Sequence, residues 1–134
     1  MNLLRTIIFL SSFSILIGQT WMQKQRFDRK FNQSISNYDQ GNYENCEVLL
    51  KEILSENPGV YKEPSLLLLV KAQIGLNKFE NARQSAKQFL SDFPESDYLP
   101  NVMNSLGDLS VKEGNFSSAY RFYHRALDLS LIHI

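Results

Sequence analysis

The chain has 134 residues, enough for one small domain, and 43% of them are hydrophobic, the share of a packed fold rather than a disordered one. Fourteen basic and fourteen acidic side chains cancel, so charge gives no case for a polyanion partner such as nucleic acid. The single cysteine, Cys46, excludes an internal disulfide and has no ligand-spaced companions for zinc.

Residues 1–20 differ from the rest. Met1 to Arg5 is a short basic start. Ile7 to Ile17 is apolar apart from its serines, and Gly18 and Thr20 offer small residues for cleavage. This is the layout of a secretory signal peptide. No cysteine follows the apolar run, so the lipid-attachment variant is absent. Two readings compete with it. One is an uncleaved anchor, because Thr6 to Gln23 carries no charge and Trp21 suits a membrane interface. The other is a buried helix of a cytosolic protein. The first two place the remainder outside the cytoplasm.

A helix is expected from Gln23, with Phe27, Phe31, Ile35 and Tyr38 on one stripe. Gln40-Gly41-Asn42 ends it. Tyr43, Cys46, Leu50 and Ile53 form the next stripe, and Asn57-Pro58-Gly59 stops that helix. Cys46 stands where a small buried residue is wanted, and a reactive role would need a cationic neighbour. A third helix follows Pro64. Its run Leu66 to Val70 is too short to span a membrane and suits a helix covered on both faces. Asn77-Lys78 makes a turn. Phe79, Ala82, Ala86 and Phe89 carry a fourth helix, which Phe93-Pro94 terminates.

The last two helices are the clearest. Met103, Leu106 and Ser110 keep helical spacing, with Gly107 beside Leu106; Phe116, Ala119, Tyr123 and Ala126 keep it after Gly114-Asn115. Gly107 and Ala119 are expected where two antiparallel helices cross most closely. Leu106-Gly107, Gly114, Phe116, Ala119, Tyr123 and Ala126 resemble the signature of the tetratricopeptide repeat, a 34-residue helix–turn–helix unit. The aromatics usual in its first helix are replaced by Met103 and Ser110. Three turn positions align, Gly41, Asn77 and Gly114, spaced by 36 and 37 residues. Tyr43, Phe79 and Phe116 keep step with them, as do Cys46, Ala82 and Ala119, and Ile53, Phe89 and Ala126. The residues beyond the usual period fit in the links Pro58 to Pro64 and Pro94 to Pro100.

The expected fold is therefore all-α. Residues 1–20 are a signal peptide or anchor helix, and residues 24–128 are three repeats (24–58, 62–94 and 97–128) forming an α-solenoid. The stretch from Phe89 to Asn101, with Leu106-Gly107-Asp108, is similar to the links of bacterial envelope tetratricopeptide proteins of the barrel-assembly lipoprotein and Tol-Pal coordinator types. That resemblance implies an exported, periplasmic or envelope-associated protein. Leu129 to Ile134 looks like the translation of a library-preparation adaptor. The expectation is that the native sequence departs near Asp128, that the chain is the start of a longer protein and that His133 belongs to this tail; the competing reading is an apolar helix end.

No Gly-rich phosphate loop, nucleophile elbow or metal-binding His pair is present, and the acidic residues are scattered. His124 reads as a surface histidine. The sequons at Asn32 and Asn115 fall in or beside predicted helices and carry no meaning in a bacterial envelope protein. No enzyme activity, cofactor or metal is expected; the chemistry that remains is binding. The resemblance implies a concave groove lined by the first helix of each pair: Phe31, Ile35, Tyr38 and Asp39, then Leu67, Lys71 and Ile74, then Asn101, Asn104, Asp108 and Lys112. The competing reading places part of this set in the core or a capping surface. Phe31 and Ile35 occupy positions that hold polar groups in carboxylate-binding versions, so the groove suits an apolar or extended peptide. Repeat packing is expected at Gly41, Tyr43, Cys46, Phe79, Ala82, Gly107, Phe116, Ala119 and Ala126. The functional expectation is a non-catalytic envelope scaffold for a protein or peptide partner, with no nucleic acid. The alternative is the recruiting module of a larger exported enzyme or solute-binding protein. Membrane association through residues 1–20 and self-association through an uncapped third repeat are further expectations.

Overall fold

The computed structural model describes the backbone of residues 2–132 and the side chains of residues 14–132. The chain folds as helices α1 (Asn2–Asp39), α2 (Tyr43–Ser55), α3 (Lys62–Gly75), α4 (Phe79–Asp92), α5 (Leu99–Lys112) and α6 (Phe116–Ile132). A short 3-10 turn, Gly59–Tyr61, precedes α3. There is no strand among the described residues, and the class is all-α.

Helix α1 begins well before the expected start at Gln23 and runs unbroken from Asn2. No proline interrupts it, and Gly18 alone costs only about 1 kcal/mol in a helix interior. Most of the apolar run Ile7 to Ile17 lies outside the residues with described side chains. Its described end, with Ile15, Leu16 and Ile17, is exposed, as are Trp21 and Met22. Among the described residues no helix is long and apolar enough to cross a membrane. His133 and Ile134 also lie outside the description, and Leu129 to Ile132 continue α6.

Three turns join the helices into antiparallel pairs, and the three are built alike. Gly41, Asn77 and Gly114 have φ of 75°, 58° and 75°, the left-handed region open to glycine and, next best, asparagine. In each, the following N–H reaches back five residues: Asn42 to the Asn37 carbonyl (2.8 Å), Lys78 to Gln73 (2.9 Å), Asn115 to Ser110 (2.8 Å). The left-handed residue itself donates to Tyr38, Ile74 or Val111 at 2.9, 3.0 and 2.9 Å. These paired bonds are the Schellman closure, which satisfies carbonyls the helix end leaves open. Asn115 also caps α6, its side-chain oxygen accepting the Ser118 N–H at 3.1 Å.

Each helix packs on the next in sequence, and α3 also touches α1 and α5. The α2–α3 contact is broad; the α4–α5 contact is narrow. One core cluster joins Leu66, Val70 and Ile74 of α3 to Ala82, Ala86 and Phe89 of α4 and to Val102, Leu106 and Leu109 of α5. The other joins Phe27 of α1 to Cys46, Leu50 and Ile53 of α2 and Leu69 and Ala72 of α3. Equivalent ion pairs close the open ends of the first two helix pairs: Arg26 with Glu56, and Lys62 with Asp92 at 3.0 Å.

Charge also crosses between pairs. Glu47 on α2 is 4% exposed and is held by Lys51 (2.7 Å), Lys78 (2.6 Å) and Gln73 (3.2 Å); Ser85 in turn donates to Gln73 at 2.8 Å. Burial pushes the Glu47 carboxyl up, but these hydrogen bonds and the Lys51 charge outweigh it and hold it down at about 2. At the next boundary Arg83 pairs with Glu113, more exposed than the Glu47 cluster.

Candidate functional site

The turn alignment sets a register between the three helix pairs. Position 31 then matches 67 and 104, and position 35 matches 71 and 108. Phe31 and Ile35 of α1 stand beside Leu67 and Lys71 of α3, with Pro64, Leu68 and Tyr98 completing the wall of a cavity of about 280 Å³. The spacing explains the α3 side. Pro64, Leu67, Leu68 and Lys71 recur at i, i+3, i+4 and i+7 and share one helical stripe. Leu67 is 9% exposed and serves both the core and this trough. Lys71 has no ion pair or hydrogen bond among the described residues, while Ile35 and Tyr98 are 38% and 46% exposed. The trough therefore offers an apolar floor, an unpaired cation and an accessible phenol.

The other residues assigned to a groove fall elsewhere. Tyr38 is half-buried against Tyr43, ring centroids 5.4 Å apart. Its hydroxyl is pushed up by burial and then by Tyr43, Cys46, Asp108 and Asp39. Asp39 is exposed at the end of α1. Ile74 does not line a groove; it is 6% exposed inside the core, where α4 and α5 residues cover the last turns of α3. Asn101, Asn104 and Lys112 are exposed on α5, away from the trough. Asp108 is exposed but engaged, accepting the Tyr123 hydroxyl at 2.6 Å. That bond first, and burial second, push the Tyr123 hydroxyl up to about 12.

Among the packing residues, Cys46 and Ala82 have no exposure, and Ala119 and Ala126 have 3%. The Cys46 thiol is pushed up to about 11 by burial and by Glu47, the opposite of a reactive cysteine. Phe79 is half-buried against the core. Gly107 is buried, and what lies over it is the Tyr123 ring, 2.4 Å from where a Cβ would stand. Tyr43 presses in the same way on Gly75 of α3, 2.6 Å from that Cβ position. Phe116 departs from expectation: it is 69% exposed and packs on no core. Its equivalents are covered by what comes next, Tyr43 by α3 and Phe79 by the core that α5 completes. No helix follows α6 among the described residues.

Pro64, Leu68 and Tyr98 belong to the trough without having been singled out from sequence. The i, i+3, i+4, i+7 stripe could have found the first two. Tyr98 lies in a link, where no period applies. His124 is exposed, 3.4 Å from Asp128 and tilted on the Tyr120 ring. Among the described residues no group of three or more His, Cys, Asp or Glu is placed to hold a metal ion. No protein-family model, curated protein or solved structure matches the chain.

Proposed function

We propose that the chain is a tetratricopeptide-type α-solenoid module of the bacterial cell envelope, exported through its N-terminal segment, which binds a protein partner without catalysing a reaction. The observation that carries this reading is the trough between α1, α3 and Tyr98, where four residues named from the repeat's groove positions meet: Phe31, Ile35, Leu67 and Lys71. The three matching turns support the repeat reading, because the same helix–turn–helix closure recurs three times along the chain. A volume of about 280 Å³ accommodates one or two apolar side chains of an extended segment. Lys71 adds a preference for an acidic neighbour on that segment.

The test is a library of extended peptides with apolar residues, screened for binding and mapped by NMR shifts. Binders that perturb Phe31, Leu68, Lys71 and Tyr98, and that weaken with Ile35→Asp, at an exposed position of the same wall, with an unchanged melting midpoint, support the reading. Binders that map to another face, or none at all, overturn it. For export, a reporter active only outside the cytoplasm, fused after residue 128, is expected to be active; silence would sink that part.

A further inference from the structure

We propose that the seam between α4 and the last helix pair is a binding site for a short-chain carboxylic acid, its carboxylate toward Arg83 and Asn115 and its apolar tail on Phe122. The site shares no residue with the trough. The inference comes from comparing the two boundaries between helix pairs in the register that the turns set. At the first boundary Glu47, Gln73, Lys78 and Ser85 form one hydrogen-bonded cluster around a carboxylate. The repeat spacing, 36 residues for Glu47 and 37 for the others, carries these four to Arg83, Ser110, Asn115 and Phe122. All four line one cavity of about 240 Å³. Its other walls are Leu106, Leu109 and Ser118, at the places of Leu69, Ala72 and Asn81. The space that the Glu47 cluster fills at the first boundary is thus a cavity at the second. The side chains explain the difference. Ser110 and Asn115 are shorter than Gln73 and Lys78, and Arg83 reaches to Glu113 instead, with its side chain 43% exposed.

The polar groups left at this cavity are mostly donors. Arg83 donates through Nη2 to Glu113, and its remaining N–H groups have no partner among the described residues. The Asn115 side-chain oxygen accepts the Ser118 N–H at 3.1 Å, while its amide nitrogen has no acceptor among the described residues. The Ser118 hydroxyl accepts from Arg121 at 3.2 Å and keeps its own proton to give. Ser110 alone is spent, donating to the Leu106 carbonyl at 2.8 Å. Such a wall selects a group that only accepts, which an ionised carboxylate does. Arg83 and Arg121 against Glu113 leave an excess of positive charge, which disfavours an amine. Half-buried Phe122, with Leu106 and Leu109 of the core, supplies the apolar side. A cavity of about 240 Å³ lies below the roughly 300–1,000 Å³ of drug-sized sites, so the tail is short, about four to six carbons.

The probe is hexanoate, titrated into the full chain at neutral pH and followed by NMR shifts. Saturable shifts at Arg83, Asn115, Ser118 and Phe122 are expected, half-complete at roughly 1 mM. Hexylamine and hexanol should bind at least about tenfold more weakly. The Arg83→Met/Glu113→Gln variant removes the ion pair without freeing a carboxylate, and should weaken hexanoate by roughly tenfold. Ser118→Leu fills the cavity from α6 and should abolish the shifts with the melting midpoint held. Absence of saturable shifts up to roughly 50 mM overturns the proposal. So does hexylamine or hexanol binding as well as the acid, or an affinity indifferent to the Arg83→Met/Glu113→Gln change. Shifts centred on Lys71 and Tyr98 would also overturn it, placing the acid in the trough.

Discussion

Leu50 on α2 and Tyr123 on α6 stand at matching places in their helix pairs. Leu50 is fully buried and Tyr123 is 37% exposed. The same holds one turn on, where Leu54 is packed between two clusters and Leu127 is 56% exposed. Leu54 and Leu127 are alike in hydrophobicity and spacing; their surroundings differ because Leu54 has α3 beside it and Leu127 has no described helix over it, while Tyr123 lies over Gly107 of its own partner α5. In a fold of stacked helices, burial at an outward position belongs to the neighbour as much as to the residue. An apolar stripe becomes core where a neighbouring helix covers it.

The sharpest way to break this comparison is to delete the same methyl groups on both helices. Leu50→Ala should cost about 2–5 kcal/mol, as for a filled core site, whereas Leu127→Ala should stay within about 0.5 kcal/mol. Urea unfolding of the two variants reads the difference directly; equal losses would mean that α6's outer face is covered. A smaller effect separates the two boundaries between helix pairs. Lys78→Met should cost roughly 1–3 kcal/mol because it strips a charged hydrogen bond from buried Glu47. Arg83→Met, at the exposed pair with Glu113, should cost under about 1 kcal/mol. The Glu47 contribution also has a pH signature. Its carboxyl is depressed from 4.5 to about 2, so the stabilisation is complete above about 4.5 and fades as pH falls toward 2. Thermal melts across that window should show a steeper loss for the native chain than for Lys78→Met. A change between these two in size concerns the turns: Asn77→Ala should cost roughly 1–2 kcal/mol through its positive φ, and Asn77→Gly, the smallest change, should cost nothing measurable.

The turns were the most legible part of the sequence, because the left-handed region admits few residue types and Gly41, Asn77 and Gly114 are among them. The inner packing positions were legible for a related reason. Close helix crossings demand small residues, and Cys46, Ala82, Ala119 and Ala126 supply them. Phe116 was misread because its column is buried only when another helix follows, and no local pattern records that. Ile74 was misread because helical spacing alone does not say which flank of α3 meets α4 and α5. Phe31, Ile35, Leu67 and Lys71 of the trough were readable from the groove positions that the repeat resemblance implies, while Tyr98 entered from a link, where no period applies. The N-terminal boundary was blurred because residues 14–26 contain nothing that stops a helix.

The contacts of α5 with α3 and α4, both narrower than those within the helix pairs, give the molecule a line of weakness. On one side α2, α3 and α4 are joined by a broad interface and by the Glu47 cluster. On the other, α5 and α6 are joined mainly to each other. Opening along that line removes Val102, Leu106 and Leu109 from the core and breaks the Arg83–Glu113 pair, but leaves the last helix pair intact. Residues 99–132 then form a unit that can detach without global unfolding, and its amides should exchange with solvent as a group, ahead of those in α2 to α4.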